Sequence, residues 1–180
     1  NSAIQRLKQL KMIINYAVDL EMLDKNPIKY SPKKEVKPII YLTIEELEKI
    51  YKKDLVGRLE VVRDIFIFCC YTGLEYSRVF DLTPDQIKSD GKRYWIESVR
   101  QKTGKYANPR LLPIPLKLIE KYNGGSKCFP VRSNVKMNAY LKEIADICGI
   151  DKKLHTHLAR HTFATTICLA NGVSAESTAK

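Results

Sequence analysis

Three cationic side chains of this chain have the types and spacing that suit phosphoryl transfer without a metal ion. His157 and Arg160, in the segment HTHLARHTFATT (155–166), are three residues apart and share a face if the segment is helical. Arg presents a planar fork that matches two phosphate oxygens, and His donates a hydrogen bond or moves a proton near neutral pH. Lys102, in the polar loop RQKTGKYANP (100–109), carries an ammonium that can reach a leaving oxygen. Such cations neutralise the transition state, and an acid protonates the departing alkoxide.

The segment 155–166 has two other interpretations. His157 and His161 form an HxxxH pair that could bind zinc, but Leu158 stands where the metalloprotease motif needs Glu, so we predict no metal site. In the plainer interpretation one histidine caps the helix and Arg160 pairs with a core carboxylate. The positive end of the helix dipole favours an anion at the start of this segment, with Thr156 as the expected N-cap, which supports the phosphate interpretation.

The segment TGLEYSRVFDL (72–82) raises a separate question about two opposite charges. Its tight turn leads into a short helix in which Glu75 and Arg78 lie one turn apart. Such a pair can be a surface ion pair worth about 0.2–0.5 kcal/mol. Alternatively, a residue that a site needs has been displaced from this helix start.

The bulk properties indicate a basic globular protein that meets phosphate. The chain has 180 residues, a net charge of +11 and 44% hydrophobic residues, enough for one domain and part of another. Because the charge is spread over several segments, we favour double-stranded DNA over a membrane surface as the partner, with a merely well-solvated basic surface as the alternative. Asn1 is not an initiator Met, so we expect the chain to begin inside a longer protein.

The five cysteines predict a location rather than a site. Their odd number, their apolar surroundings and the absence of a signal peptide favour reduced thiols in a cytoplasm. No CxxC motif occurs, so we do not expect a zinc cluster.

The periodicity predicts a mainly α fold with a small antiparallel β-sheet, of the α+β class. A basic, proline-containing stretch at 31–38 is the predicted linker between domains. In the predicted helix 133–150 the core face is assigned to Val135, Ala139, Ile144 and Ile147. A hairpin is predicted from two extended segments, 93–99 and 110–116, joined by the basic loop. The other predicted helices are 2–23, 42–51 with a capping box at Thr43 and Glu46, 58–71, 115–122 and 156–172.

The order of these motifs resembles the tyrosine recombinases, the phage-integrase family, in the style of integrases from mobile elements. The resemblance rests on TGL after a buried helix, on a KTG hairpin ending in LLPIP, and on HLARHTFAT followed by NGVS. It covers nearly the whole chain. It implies that residues 1–30 are the last helix of a core-binding domain and that residues 39–180 are most of a catalytic domain.

The resemblance also assigns roles. It implies that His157 and Arg160 hold the scissile DNA phosphate and that Lys102 is the general acid toward the 5′ oxygen. In the family a tyrosine attacks the phosphate and forms a 3′-phosphotyrosyl bond, without metal or cofactor, in tetramers on paired duplexes. Further DNA contacts are expected from basic residues in and beside the hairpin loop: Arg100, Lys105 and Arg110.

Two departures from the family pattern leave the activity open. Glu75 stands where the family's first arginine follows TGL, and Arg78 stands in a slot that is usually acidic. Either Arg78 reaches back to the phosphate as a stand-in, or the pair is structural and the site is weakened. The family's nucleophilic tyrosine falls beyond Lys180, so we expect these residues to bind DNA without cleaving it in cis. The alternative function is a non-catalytic, regulatory DNA-binding relative of an integrase, and a metal-dependent nuclease ranks last for want of a carboxylate cluster.

Overall fold

The computed structural model describes residues 2–29, 38–97, 108–122, 124–130 and 133–174. The chain separates into two units, residues 1–38 and 39–180, each with its own internal contacts. In the described part of the chain no helix is both long enough and apolar enough to cross a membrane.

The first unit contains one helix, α1 (Ser2–Asp19), which ends four residues before the predicted end. A local cap ends the helix there. Glu21 adopts a left-handed φ of 58°, and the amides of Glu21 and Met22 donate to the carbonyls of Val18 and Ala17. This pair of hydrogen bonds is the Schellman arrangement that satisfies the last carbonyls of a helix.

The second unit is mainly helical, which confirms the predicted fold class. Its first helix, α2 (Ile44–Lys52), begins at the predicted capping box: Thr43 Oγ1 accepts from the Glu46 amide, and Glu46 Oε2 accepts from the Thr43 amide at 2.8 Å. The helix α3 (Arg58–Thr72) is buried from Val62 to Cys70, as its apolar sequence predicted. The remaining α-helices are α4 (Tyr76–Phe80), α5 (Pro113–Lys121), α6 (Asn134–Cys148) and α7 (Thr156–Thr162).

A three-stranded antiparallel sheet lies beside these helices, in the order β1 (Ile87–Ser89), β2 (Tyr94–Ile96) and β3 (Arg110–Leu111). Ile87 pairs with Ile96, and Trp95 pairs with Arg110. The sequence analysis missed β1, because three residues are too few for an alternating pattern to stand out.

The predicted extended segment 110–116 was wrong beyond Leu111. Leu112 is the N-cap of α5, and Pro113 occupies its first turn. Proline suits the first helical position because it has no amide hydrogen to leave unsatisfied and its φ is already helical. Pro113 and Pro115, which the prediction placed in an extended segment, therefore lie in the first turn of a helix.

The core-facing side of α6 also differs from the prediction. Val135 is 80% exposed and Ile147 is 41% exposed. The buried positions follow a helical spacing that starts two residues later: Met137, Leu141, Ile144, Ala145 and Cys148. Of the four predicted core residues Ile144 is buried and Ala139 is exposed, and Met137, Leu141 and Cys148 on the neighbouring face fill the core.

A buried carboxylate ties α3 to α5. Asp64 is 1% exposed and accepts hydrogen bonds from Arg63 Nε at 2.5 Å, Lys121 Nζ at 2.7 Å and Tyr122 Oη at 2.8 Å. Arg63 Nη1 in turn donates to the carbonyls of Tyr51 and Lys53 at the end of α2, both at 2.7 Å. Burial and then the hydrogen bond to Asp64 raise the pKa of the Tyr122 phenol. The buried pair of Arg63 and Asp64 therefore ties the ends of α2 and α5 to α3.

We predict that Asp64→Ala destabilises the fold by about 3 kcal/mol, because it leaves the buried Arg63 charge without its carboxylate. Chemical denaturation of both proteins measures this loss. The control is Glu48→Ala, which removes an exposed ion pair with Lys52 and should cost under about 1 kcal/mol. Equal losses in the two variants would contradict a structural role for the buried network.

The cysteines are buried thiols, and no disulfide joins them in the described part of the chain. Burial raises the pKa of Cys69 to about 12 and that of Cys128 to about 11. Neither thiol is ionised near neutral pH, so these side chains serve packing rather than chemistry.

Candidate functional site

A cleft of about 450 Å³ opens where α4 faces the starts of α6 and α7. It contains both residues of the predicted HxxR pair, His157 and Arg160. The residues that line it are Glu75, Tyr76, Ser77, Phe80, Asp81, Asn134, Thr156, His157 and Arg160.

The start of α7 fixes the direction of His157 and Arg160. His155, rather than the predicted Thr156, is the N-cap: its Nδ1 accepts from the Leu158 amide at 3.1 Å. Thr156 instead contacts α6, with its amide donating to Asn138 Oδ1 at 3.0 Å and its hydroxyl to Asn134 Oδ1 at 3.2 Å. These bonds bring the N-terminal turns of α6 and α7 together at the cleft.

The predicted continuous helix 156–172 is in fact three different helices. After α7 the backbone forms a π-helix (Phe163–Cys168) and then a 3-10 turn (Leu169–Asn171). Thr162 Oγ1 accepts from the Leu42 amide at 3.1 Å, and Thr166 Oγ1 donates to the Leu42 carbonyl. Both backbone groups of Leu42 are thus satisfied by side chains on either side of the α-to-π transition.

A close contact between Gly73 and Phe163 sets the turn that carries Glu75. Gly73 ends α3 in the left-handed region with φ 68°, and a Cβ at this position would lie 2.4 Å from Cδ1 of Phe163. Only glycine fits both the backbone and the space. Because Phe163 follows Arg160 by one helical turn, this contact places the chain after Gly73 next to Arg160.

Arg160 is paired with a carboxylate in the cleft. Its Nη1 donates to Glu75 Oε1 at 2.6 Å, with the side chains 37% and 61% exposed respectively. The plainer interpretation of Arg160 predicted a carboxylate partner, but in the core, and Glu75 is exposed. Glu75 is also the N-cap residue of α4, yet its side chain makes no capping hydrogen bond there.

Three histidines lie together beside the cleft. The ring of His157 stacks at 6.4 Å from His155 and meets the edge of His161 at 4.8 Å. Partial burial and then the neighbouring His157 lower the pKa of both His155 and His161. No group of three or more His, Cys, Asp or Glu side chains is placed to hold a metal ion in the ranges that the structure describes.

Two other predicted site residues, Arg78 and Arg110, do not line the cleft. Arg78 lies on α4, where its Nη2 is buried and has no hydrogen-bond partner among the described residues. Arg110 is exposed on β3, on the far side of the sheet order from β1. Arg100, Lys102 and Lys105 lie outside the described residues, so their roles stay predictions.

Some cleft residues were missed by the sequence analysis. Ser77 and Asp81 could have been found, since both lie within two helical turns of Glu75 on α4. Asn134 could not, because it comes from another segment and reaches the site only through the pairing of α6 with α7.

Comparisons with known proteins place this fold among DNA recombinases. The solved structures that it resembles include a Tn1549 transposon integrase in complex with circular intermediate DNA (TM-score 0.66, 15% identity, 96% of this chain and 67% of the other). They also include the XerH site-specific recombinase bound to difH substrate (TM-score 0.61, 16% identity, 83% and 52%). A third is the XerA recombinase (TM-score 0.59, 19% identity, 95% and 65%).

The sequence is also similar to that of a recombinase. A tyrosine recombinase of Pseudothermotoga lettingae is 24% identical over 187 residues, covering 96% of this chain. No family model matches the chain. The chain spans 63% of the length of that relative. This chain is thus similar in sequence to a tyrosine recombinase and has the fold of the solved recombinase and integrase structures.

We predict that Gly73→Ala destabilises the protein by about 3 kcal/mol, through left-handed backbone strain and the clash with Phe163. Thermal unfolding measures the effect. The matched control is Gly172→Ala, where φ is 79° and no atom lies within 4 Å of an added Cβ, so only about 1 kcal/mol of backbone strain is expected. The prediction fails if both variants lose the same stability.

We also predict that stability falls as the pH drops below about 6.5, the ordinary pKa of histidine. The folded state lowers the pKa of His155, so it favours the neutral ring that caps α7. This stabilisation is present above the unfolded pKa and is lost as the pH falls through the folded pKa. Unfolding curves recorded between pH 5 and 8 give the free energy of unfolding at each pH. This free energy should depend less steeply on pH in His155→Asn, because Asn keeps a helix cap but does not titrate in this range. An unchanged slope would contradict the role of this ring.

Proposed function

We propose that this chain is the catalytic-domain part of a site-specific DNA recombinase, which cuts and rejoins DNA through a 3′-phosphotyrosyl intermediate. The observation that carries the proposal is that His157 and Arg160 share one turn of α7 and line the same cleft. A guanidinium and an imidazole at this spacing suit the two non-bridging oxygens of a phosphodiester.

Each residue has a defined task in this proposal. Arg160 binds and orients the scissile phosphate and offsets the charge that grows in the transition state. His157 is exposed at the cleft, where its ring can donate a hydrogen bond to the same phosphate. Lys102 delivers the proton to the 5′ oxygen, a role that rests on the resemblance alone.

Arg78 remains a proposed stand-in for the arginine expected at Glu75. Its buried Nη2, which has no hydrogen-bond partner among the described residues, supports the idea, because such a group normally has a partner that completes its hydrogen bonding. Its absence from the residues that line the cleft opposes the idea.

The proposed partner is double-stranded DNA, bound through its backbone. The net charge of +11 supports this, as do the DNA complexes of the XerH recombinase and the Tn1549 integrase. Arg100, Lys105 and Arg110 are the proposed contacts outside the cleft. By the same resemblance the full-length protein would work as a tetramer on DNA in a bacterial cytoplasm, without a metal or organic cofactor.

A second candidate function is DNA binding without cleavage. The ion pair between Arg160 and Glu75 favours it, because the guanidinium that should hold the phosphate already holds a carboxylate.

We predict salt-sensitive DNA binding that depends on Arg160. Fluorescence anisotropy with a random-sequence duplex should show a Kd that weakens by about 10³–10⁵ between 50 and 200 mM salt, if six to ten phosphates are contacted. Arg160→Ala should weaken binding and reduce the salt slope by about one counterion. The charge-matched control, Lys52→Ala, changes a residue that does not line the cleft and should leave the slope unchanged. Binding that ignores salt would refute the DNA-backbone proposal.

A trapping experiment distinguishes a recombinase from a DNA-binding protein that does not cleave DNA. The protein at the full length that its gene encodes is mixed with nicked duplexes carrying the junction of its own element, and adducts are sought on a denaturing gel. A covalent adduct that is lost in Arg160→Ala supports the recombinase. DNA binding with no adduct supports the non-catalytic candidate.

A further inference from the structure

The carboxylate of Glu75 is aimed at the cleft rather than at its own helix. An N-cap side chain ordinarily accepts a hydrogen bond from the amides of its helix, but Glu75 makes none. Its Oε1 instead accepts from Arg160 Nη1 at 2.6 Å. In the described part of the chain, Glu75 is the only side chain that hydrogen-bonds Arg160.

The second cleft carboxylate is arranged differently. Asp81 is paired with Lys127 Nζ at 3.3 Å, and that ammonium also donates to the Phe80 carbonyl at 2.8 Å. Lys127 is not in the cleft lining. Asp81 is therefore held by a cation outside the cleft, whereas Glu75 neutralises the guanidinium inside it.

The turn before Glu75 leaves little freedom in where the backbone of this residue lies. Gly73 is packed against Phe163, and the Thr72 hydroxyl donates to the Phe68 carbonyl at 2.8 Å and accepts from the Leu74 amide at 3.4 Å. The backbone is anchored up to Leu74, which is buried. The exposed Glu75 side chain, by contrast, can rotate away from Arg160 without disturbing the core.

We propose that Glu75 is an internal competitor of DNA phosphate for Arg160, a positioning residue that holds the guanidinium across the cleft until a phosphodiester displaces it. This inference rests on the proposed function. A carboxylate and a phosphodiester are both anions that accept from the same planar fork. If the carboxylate and the phosphodiester both lay close to Arg160, the two anions would repel each other. DNA binding therefore includes the release of Glu75.

The competition predicts a gain of affinity when the charge of Glu75 is removed. Glu75→Gln keeps the shape of the side chain and should tighten binding of a random-sequence duplex by about tenfold at 50 mM salt. The gain is limited to this size because the ion pair is partly exposed, where the solvent weakens the attraction between the two charges. A residue that only orients Arg160 for DNA would give the opposite sign, because its loss would weaken binding. Anisotropy titrations of the 180-residue chain measure the ratio.

Two comparisons make the result specific. In the Arg160→Ala background, Glu75→Gln should change the Kd by less than about twofold, because the group that is competed for is gone. Asp81→Asn removes the same charge from the same cleft, and it should give a smaller gain than Glu75→Gln because its partner is Lys127. Glu75→Ser, a good N-cap residue, provides a second neutral variant if Glu75→Gln does not fold.

The outcomes separate this inference from the proposed function. Tightening by Glu75→Gln that disappears in Arg160→Ala supports the competition. Unchanged or weaker binding by Glu75→Gln overturns it while DNA binding by the parent chain stands. Tightening that persists in Arg160→Ala, or that Asp81→Asn equals, also overturns it, as a general charge effect. If the parent chain binds no DNA at 50 mM salt, the proposed function fails first.

Discussion

The contact between Gly73 and Phe163 is the constraint on which the cleft depends. It joins the end of the buried helix α3 to the helix that carries Arg160, at a distance that no side chain on residue 73 would allow. The polypeptide must then leave α3 through a left-handed residue, and the next two residues bring Glu75 to the cleft. The charge pair follows from this packing, because the contact fixes the backbones of Glu75 and Arg160 relative to each other.

The charge of the cleft contrasts with the charge of the chain. The whole sequence carries +11, yet the described lining combines the carboxylates of Glu75 and Asp81 with a single guanidinium. A general attraction for a polyanion can therefore come from the rest of the surface, while the lining of the cleft carries one negative charge in excess. On the proposed function, long-range attraction and local phosphate recognition depend on different residues.

Much of the helical framework was readable from the sequence, because it rests on local signals. The capping box at Thr43, the apolar run of α3 and the glycine after α6 each fix a boundary within a few residues. The errors arose where a tertiary contact decides the outcome. The N-cap of α7 is His155 because Thr156 is engaged by α6, and the π-helix after Thr162 accompanies hydrogen bonds to Leu42, 120 residues away. The HxxR spacing placed His157 and Arg160 together, but no spacing could show that Glu75 would meet Arg160.

The double attachment of Leu42 has a mechanical consequence. Residues 39–42 are the first of the second unit. The amide of Leu42 is hydrogen-bonded to Thr162 and its carbonyl to Thr166. These two threonines follow Arg160 on the same continuous run of helical backbone. A pull on the chain at Leu42 is therefore transmitted to the helix that bears Arg160, through two hydrogen bonds that cannot break without leaving buried groups unsatisfied. The start of this unit and the helix that bears Arg160 are mechanically coupled in this way.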